Sequence, residues 1–127
     1  MTARSSALRF AALALSALAL VACGGGGGGG GPTKTAVGGK IDVNAYDSPR
    51  FDVGTIKASP GSLTVTLNEK GSQDHTFTVP GTSLNLKVNS GKSSDTGTVV
   101  LKAGTYNFEC TTPGHAAQGM RGKIVVA

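Results

Sequence analysis

Between residues 40 and 127 the chain is a series of short runs in which apolar and polar residues alternate, each closed by glycine, proline, asparagine or serine. Alternation at period 2 sends successive side chains to opposite faces, so each run reads as a strand with one buried face. The clearest are 63–67 (Leu-Thr-Val-Thr-Leu), 75–79 ending at Pro80-Gly81, 84–88 ending at Asn89-Ser90-Gly91, 98–101, 105–110 and 122–126. Residues 41–45 and 51–57 give weaker runs. No stretch beyond Gly24 repeats at the 3.6-residue helical period. Seven or eight short strands with regular turn signals predict an all-β fold, a Greek-key β-sandwich.

The segment before this domain has another character. Arg4 and Arg9 precede an apolar stretch of alanine and leucine over 10–22, too short for an ordinary membrane span. Residues 1–22 read as a signal peptide. Leu20-Val21-Ala22-Cys23 resembles a bacterial lipobox, which implies a lipid on Cys23. The alternative is a plain secretory signal that happens to contain a cysteine. Glycines 24–31 follow, and residues 23–39 read as a lipidated cysteine and a flexible, glycine-rich tether. The expected location is outside the cytoplasm, anchored by lipid to a bacterial membrane and facing the periplasm or the cell exterior.

Charge says little about partners. The formal +5 falls to +3 when Arg4 and Arg9 are cleaved off. The remaining lysines are dispersed and not interleaved with aromatics, so nucleic acid is not an expected partner. A monomer is expected. One cysteine lies beyond Cys23, so the domain has no internal disulfide.

That cysteine belongs to an unusual inventory. Beyond Cys23 the chain holds Cys110, His75, His115 and Met120, and no other cysteine, histidine or methionine. Each alone is an ordinary residue: a buried cysteine, a surface histidine, a core methionine. Together they are two imidazoles, one thiolate and one thioether, the ligand set of a type 1 blue-copper centre with a weak axial methionine. Three lie on one loop, Cys110-Thr-Thr-Pro-Gly-His115-Ala-Ala-Gln-Gly-Met120. Alternation puts His75 on one face with Phe77 and Val79, and Cys110 on one face with Phe108 and Tyr106. Both ligands thus face inward at strand ends, where they can share a pocket. Zinc is the competing metal, but a thioether suits copper better. Glu109 points to the face opposite Cys110, badly placed to serve as a general base. A dinuclear copper centre needs a second cysteine in the loop.

The segments Asp74-His75-Thr-Phe77-Thr-Val79-Pro-Gly and Gly104-Thr-Tyr106-Asn-Phe108-Glu-Cys110-Thr-Thr-Pro-Gly-His115-Ala-Ala-Gln-Gly-Met120-Arg-Gly-Lys-Ile-Val-Val resemble the cupredoxin family of small blue-copper proteins. The Cys-x₄-His-x₄-Met loop is similar to that of azurins and auracyanins. The resemblance implies His75, Cys110 and His115 as equatorial ligands of one copper ion and Met120 as its axial ligand. It places the Asp74 carbonyl where some members offer a second axial oxygen. Many members carry asparagine after the first histidine, tying the two ligand loops together. Here Thr76 stands in that place, and hydroxyl bonds between Thr76 and Thr111 are a possible substitute. The azurin disulfide and tryptophan are missing. The implied function is one-electron transfer, not enzymatic turnover, with redox proteins such as a cytochrome, oxidase or reductase docking near His115. A copper-handling or delivery lipoprotein is the alternative reading.

Overall fold

The computed structural model describes residues 30–127; the expected signal peptide, Cys23 and the glycines up to 29 lie outside the described residues. The strands are β1 (Thr33–Thr35), β2 (Lys40–Tyr46), β3 (Arg50–Phe51), β4 (Thr55–Ala58), β5 (Gly61–Glu69), β6 (His75–Thr78), β7 (Asn85–Val88), β8 (Ser94–Leu101), β9 (Gly104–Glu109) and β10 (Arg121–Val126). They form a six-stranded sheet in the order β1-β4-β10-β9-β6-β7 and a four-stranded sheet in the order β3-β2-β5-β8. No helix occurs among the described residues. The sandwich is the expected class, but it has ten strands, not seven or eight.

Two differences account for the larger number. The run at 51–57 is not one strand. It breaks after Phe51, and its halves join different sheets. Asp52 explains the break. Its carboxylate accepts the Asn44 backbone N–H at 2.9 Å and the Asn44 amide at 2.6 Å, which ends the pairing with β2. Beyond it, Gly54 and Thr55 donate to the Pro32 carbonyl, and β4 pairs with β1 and β10 in the other sheet.

The second difference is β1 itself, which the sequence assigns to the tether. Thr33–Thr35 pairs in parallel with β4, and the Lys34 ammonium reaches the Asp52 carboxylate at 2.6 Å. Any free tether therefore ends before Pro32. A three-residue polar strand carries no alternation that a sequence pattern can register.

Between the sheets, the core takes the inward residues of both. Val43, Ala45, Leu63, Val65 and Leu67 face Ile56, Phe77, Val79, Phe108 and Ile124. The three phenylalanines of the described chain meet in one cluster. Phe77 stacks on Phe108 with centroids 4.7 Å apart, and Phe51 approaches both edge-on at 5.6 and 5.7 Å. Each buried ring contributes about 1.5–3 kcal/mol by area, and such pairs add roughly 0.5–1.5 kcal/mol. Phe77 lies two residues after His75 and Phe108 two before Cys110, so this cluster is the rigid floor of the ligand pocket.

Strand pairing brings the ligands together. β6 meets β9 through Thr78 opposite Glu109. Continued antiparallel, that register sets Phe77 across from Cys110 and Thr76 across from Thr111. β9 and β10 form a hairpin whose last pair is Glu109 with Arg121. The Cys110 N–H donates to the Met120 carbonyl at 3.0 Å, so the ladder continues one step and closes the loop at its base.

Candidate metal centre

His75 opens β6, Cys110 follows β9, and Met120 precedes β10; all three are fully buried. His115 sits midway along the closed loop and keeps 9% of its surface exposed. One ligand atom each of His75, Cys110 and His115 lies within 4.8 Å of the others. The Cys110 Sγ is 3.6 Å from His115 Nδ1, and the imidazole centroids are 5.1 Å apart. The backbone ties Met120 to the other two loop ligands, because its N–H donates to the His115 carbonyl at 3.1 Å.

The loop is wound tightly enough to fold three ligands back on one point. His115 donates to Thr112 at 3.1 Å, Gln118 to His115 at 3.1 Å and Gly119 to Ala116 at 3.0 Å. Such winding needs left-handed residues at its corners. Gly114 and Gly119 supply them, with φ of 82° and 106°.

Hydrogen bonds fix the ligands from behind. The Thr111 N–H donates to Thr76 Oγ1 at 2.7 Å, and the two hydroxyls are 2.9 Å apart. The Thr76–Thr111 link is thus present where the resemblance expects an asparagine. The Thr76 N–H donates to Cys110 Sγ at 3.4 Å and so helps fix the sulfur in place. The Asp74 carbonyl accepts the Thr112 hydroxyl at 2.9 Å, a third tie between the 74–76 and 110–115 segments.

The donor set fits a copper ion. His75 Nδ1 is buried and has no hydrogen-bond partner in the protein. An unpaired buried nitrogen costs about 1–3 kcal/mol unless something occupies it. Here its ring belongs to the same cluster as a buried thiol sulfur and a second imidazole nitrogen. Burial first, and then the neighbouring His75 ring, hold the His115 pKa below the ordinary histidine value, against a weaker opposing pull from Asp47. Its imidazole is therefore in the neutral, ligating form at neutral pH.

The model of copper-binding proteins of the plastocyanin/azurin family matches residues 39–127. This chain is a cupredoxin. Among solved structures it is similar to rusticyanin from Thiobacillus ferrooxidans, at 28% identity and a TM-score of 0.57 over 75% of this chain and 82% of that one. A structure of reduced rusticyanin gives 27% identity and a TM-score of 0.55, over 75% and 84% of the two chains. Dithionite-reduced auracyanin from Roseiflexus castenholzii shares the fold, with a TM-score of 0.61 at 21% identity, covering 72% of this chain and 99% of that one. No curated protein sequence matches significantly. The cofactor is copper; His75, Cys110 and His115 are clustered to hold it, and backbone bonds bring Met120 beside Cys110 and His115.

Two acidic residues of this cupredoxin escaped the sequence reading. On the far side of the His75 ring, Nε2 lies 3.4 Å from Asp47 Oδ1 and 3.9 Å from Glu69 Oε1. Asp47 comes from the β2–β3 turn. Its carboxylate also accepts the N–H groups of Ser72 and Gln73 at 2.9 and 3.0 Å. Those bonds, Gln73 first and then Ser72, hold its pKa below the usual carboxylate value. Glu69 ends β5 with its side chain only 3% exposed, and its Oε1 accepts the Gly71 N–H at 2.7 Å. Neither lies near a ligand in sequence-pattern terms. The one available signal is the Asp-Ser-Pro turn after β2, which is common in proteins without any site.

Proposed function

We propose that this cupredoxin is a one-electron carrier, exported and anchored by a lipid on Cys23, which exchanges electrons with redox proteins docking over the His115 edge. When bound, copper supplies the Cu(II)/Cu(I) couple. The observation that carries the reading is the enclosure of the ligand set. His75, Cys110 and Met120 are fully buried, and His115 alone reaches the surface. Such a pocket offers an electron a ligand edge and offers a substrate no way in, which favours a carrier over an enzyme.

The protein contributes rigidity. His75 stands on a strand backed by the phenylalanine cluster, and the loop ligands are held by the backbone bonds at its base. Ligands that stay in place in both oxidation states keep the reorganisation on electron transfer small. Around His115 the exposed residues Pro113, Gly114, Ala117 and Gln118 are mostly small and uncharged. A modest patch of this kind suits a transient redox encounter, which needs less than about 1,200 Å² of interface.

Visible absorption and voltammetry on the copper-loaded protein test the reading. The expected results are an intense thiolate-to-copper band, lost in Cys110→Ser, and a reversible one-electron wave. A colourless protein, or copper that does not cycle reversibly, would sink it.

A further inference from the structure

We infer that Asp47, with Glu69 behind it, is a positioning residue for the buried copper ligand: it fixes the His75 imidazole as the Nε2–H tautomer and biases the site toward Cu(II). The inference rests on the copper reading of the site and adds to it which groups set the electronic character of one ligand.

The geometry divides the His75 ring into two sides. Nδ1 is buried with no protein partner, and the ring clusters with the cysteine and the second histidine. Nε2 faces two carboxylates, at 3.4 and 3.9 Å. A carboxylate accepts and cannot donate, so the ring proton belongs on Nε2 and the lone pair on Nδ1. A histidine bonded through its second nitrogen to a carboxylate is also a more basic ligand.

The same carboxylate orders the approach to the ligand. Asp47 binds the Ser72 and Gln73 N–H groups and the Ser72 hydroxyl, just ahead of Asp74 and His75. Its carboxylate lies where a Cβ on Gly71 would be, so Gly71 admits this packing. Asp47 therefore sets both the ring's proton and the path of the segment that carries it.

Charge gives the direction of the redox effect. A thiolate and two neutral imidazoles leave the Cu(II) site at +1 and the Cu(I) site neutral. Negative charge behind His75 stabilises the first more than the second, and Glu69 acts from a buried position where water screens little. Both carboxylates lower the reduction potential.

The test uses the full-length protein with and without copper. In the copper-free protein at about pH 8, above the ordinary histidine range, two-bond proton–nitrogen spectra should show His75 as the Nε2–H tautomer. Asp47→Ala/Glu69→Gln should mix the tautomers. With copper bound, Asp47→Ala should weaken Cu(II) relative to Cu(I) about tenfold, which is a rise of about 59 mV for a one-electron couple. Asp47→Asn keeps an acceptor oxygen but not the charge. It should retain the wild-type tautomer and fold while the potential still rises. An unchanged tautomer in the double variant, or an unchanged or lowered potential in Asp47→Asn, overturns the inference. The tautomer is read without metal, so it stands or falls independently of a failure to bind copper, which would count against the proposed function alone.

Discussion

Met120 is the ligand whose removal should change the potential without emptying the site. His75, Cys110 and His115 would carry most of the copper affinity, and the Met120 thioether would add a long, weak bond. Met120→Leu keeps the buried volume, a swap that costs less than about 1.5 kcal/mol. Copper and colour should remain. The potential should rise, because a donor that favours Cu(II) is gone and the pocket is more apolar; voltammetry reads the shift. Loss of copper would show that Met120 is no weak axial ligand. Thr76 makes a different contribution. In Thr76→Val the Thr111 N–H loses its 2.7 Å partner, which should cost about 1 kcal/mol in denaturant unfolding and speed copper loss to a chelator. At this scale the sequence was informative wherever the chemistry is rare. Four soft or imidazole side chains with no others in the domain leave one arrangement. Asp47 and Glu69 were hidden because carboxylates are common, and their partner is chosen by how the β2–β3 turn lies over residues 71–74.

Among the elements, the short ones decide how the chain enters the sandwich. β1 is held by three backbone pairs to β4 and by the Lys34–Asp52 ion pair at 2.6 Å. Asp52 is partly buried. Burial opposes its charge, but bonds from Lys34 and Asn44 outweigh this and hold its pKa below the ordinary carboxylate value. Its folded pKa is depressed, so its stabilisation is fully present above that value and is lost as pH falls through the folded pKa. Asp52→Asn should therefore unfold more easily than wild type at neutral pH, by about 1–3 kcal/mol, with the gap closing in acid below the unfolded carboxylate range. Equal gaps at both pH values would mean that Asp52 acts through shape and not through charge. The ligand loop makes a second test. Gly119 has a φ of 106° and open space around it. Gly119→Ala should cost roughly 1–2 kcal/mol, as a lower melting temperature with unchanged colour. The long alternating strands were legible because burial on one face forces period 2. β1 and the β3–β4 break were not, because they rest on side-chain bonds of Asp52 across 8 and 18 residues of sequence.

Across the whole molecule, strand register relates the chain's entry point to the copper end. Thr33 lies level with Thr55, and Thr55 with Lys123, three residues after Met120. The Pro32 carbonyl is held by Gly54 and Thr55. The chain thus enters at the ligand-bearing end of the six-stranded sheet, two strands away from β10. At about 4.8 Å per strand, that is roughly 10 Å sideways from the strand that Met120 precedes. If Cys23 carries a lipid, the His115 edge is tethered close to the membrane face and not held away from it. An acceptor in the same membrane then meets this edge at an effective concentration near the millimolar range expected for a short linker. Cys23→Ala should leave the spectrum, the potential and oxidation by a small soluble oxidant unchanged. Electron transfer to a membrane-bound acceptor, measured at micromolar protein in vesicles, should fall by roughly 10²–10³. An equal rate with and without Cys23 would place the partner in solution and leave the tether no part in electron delivery.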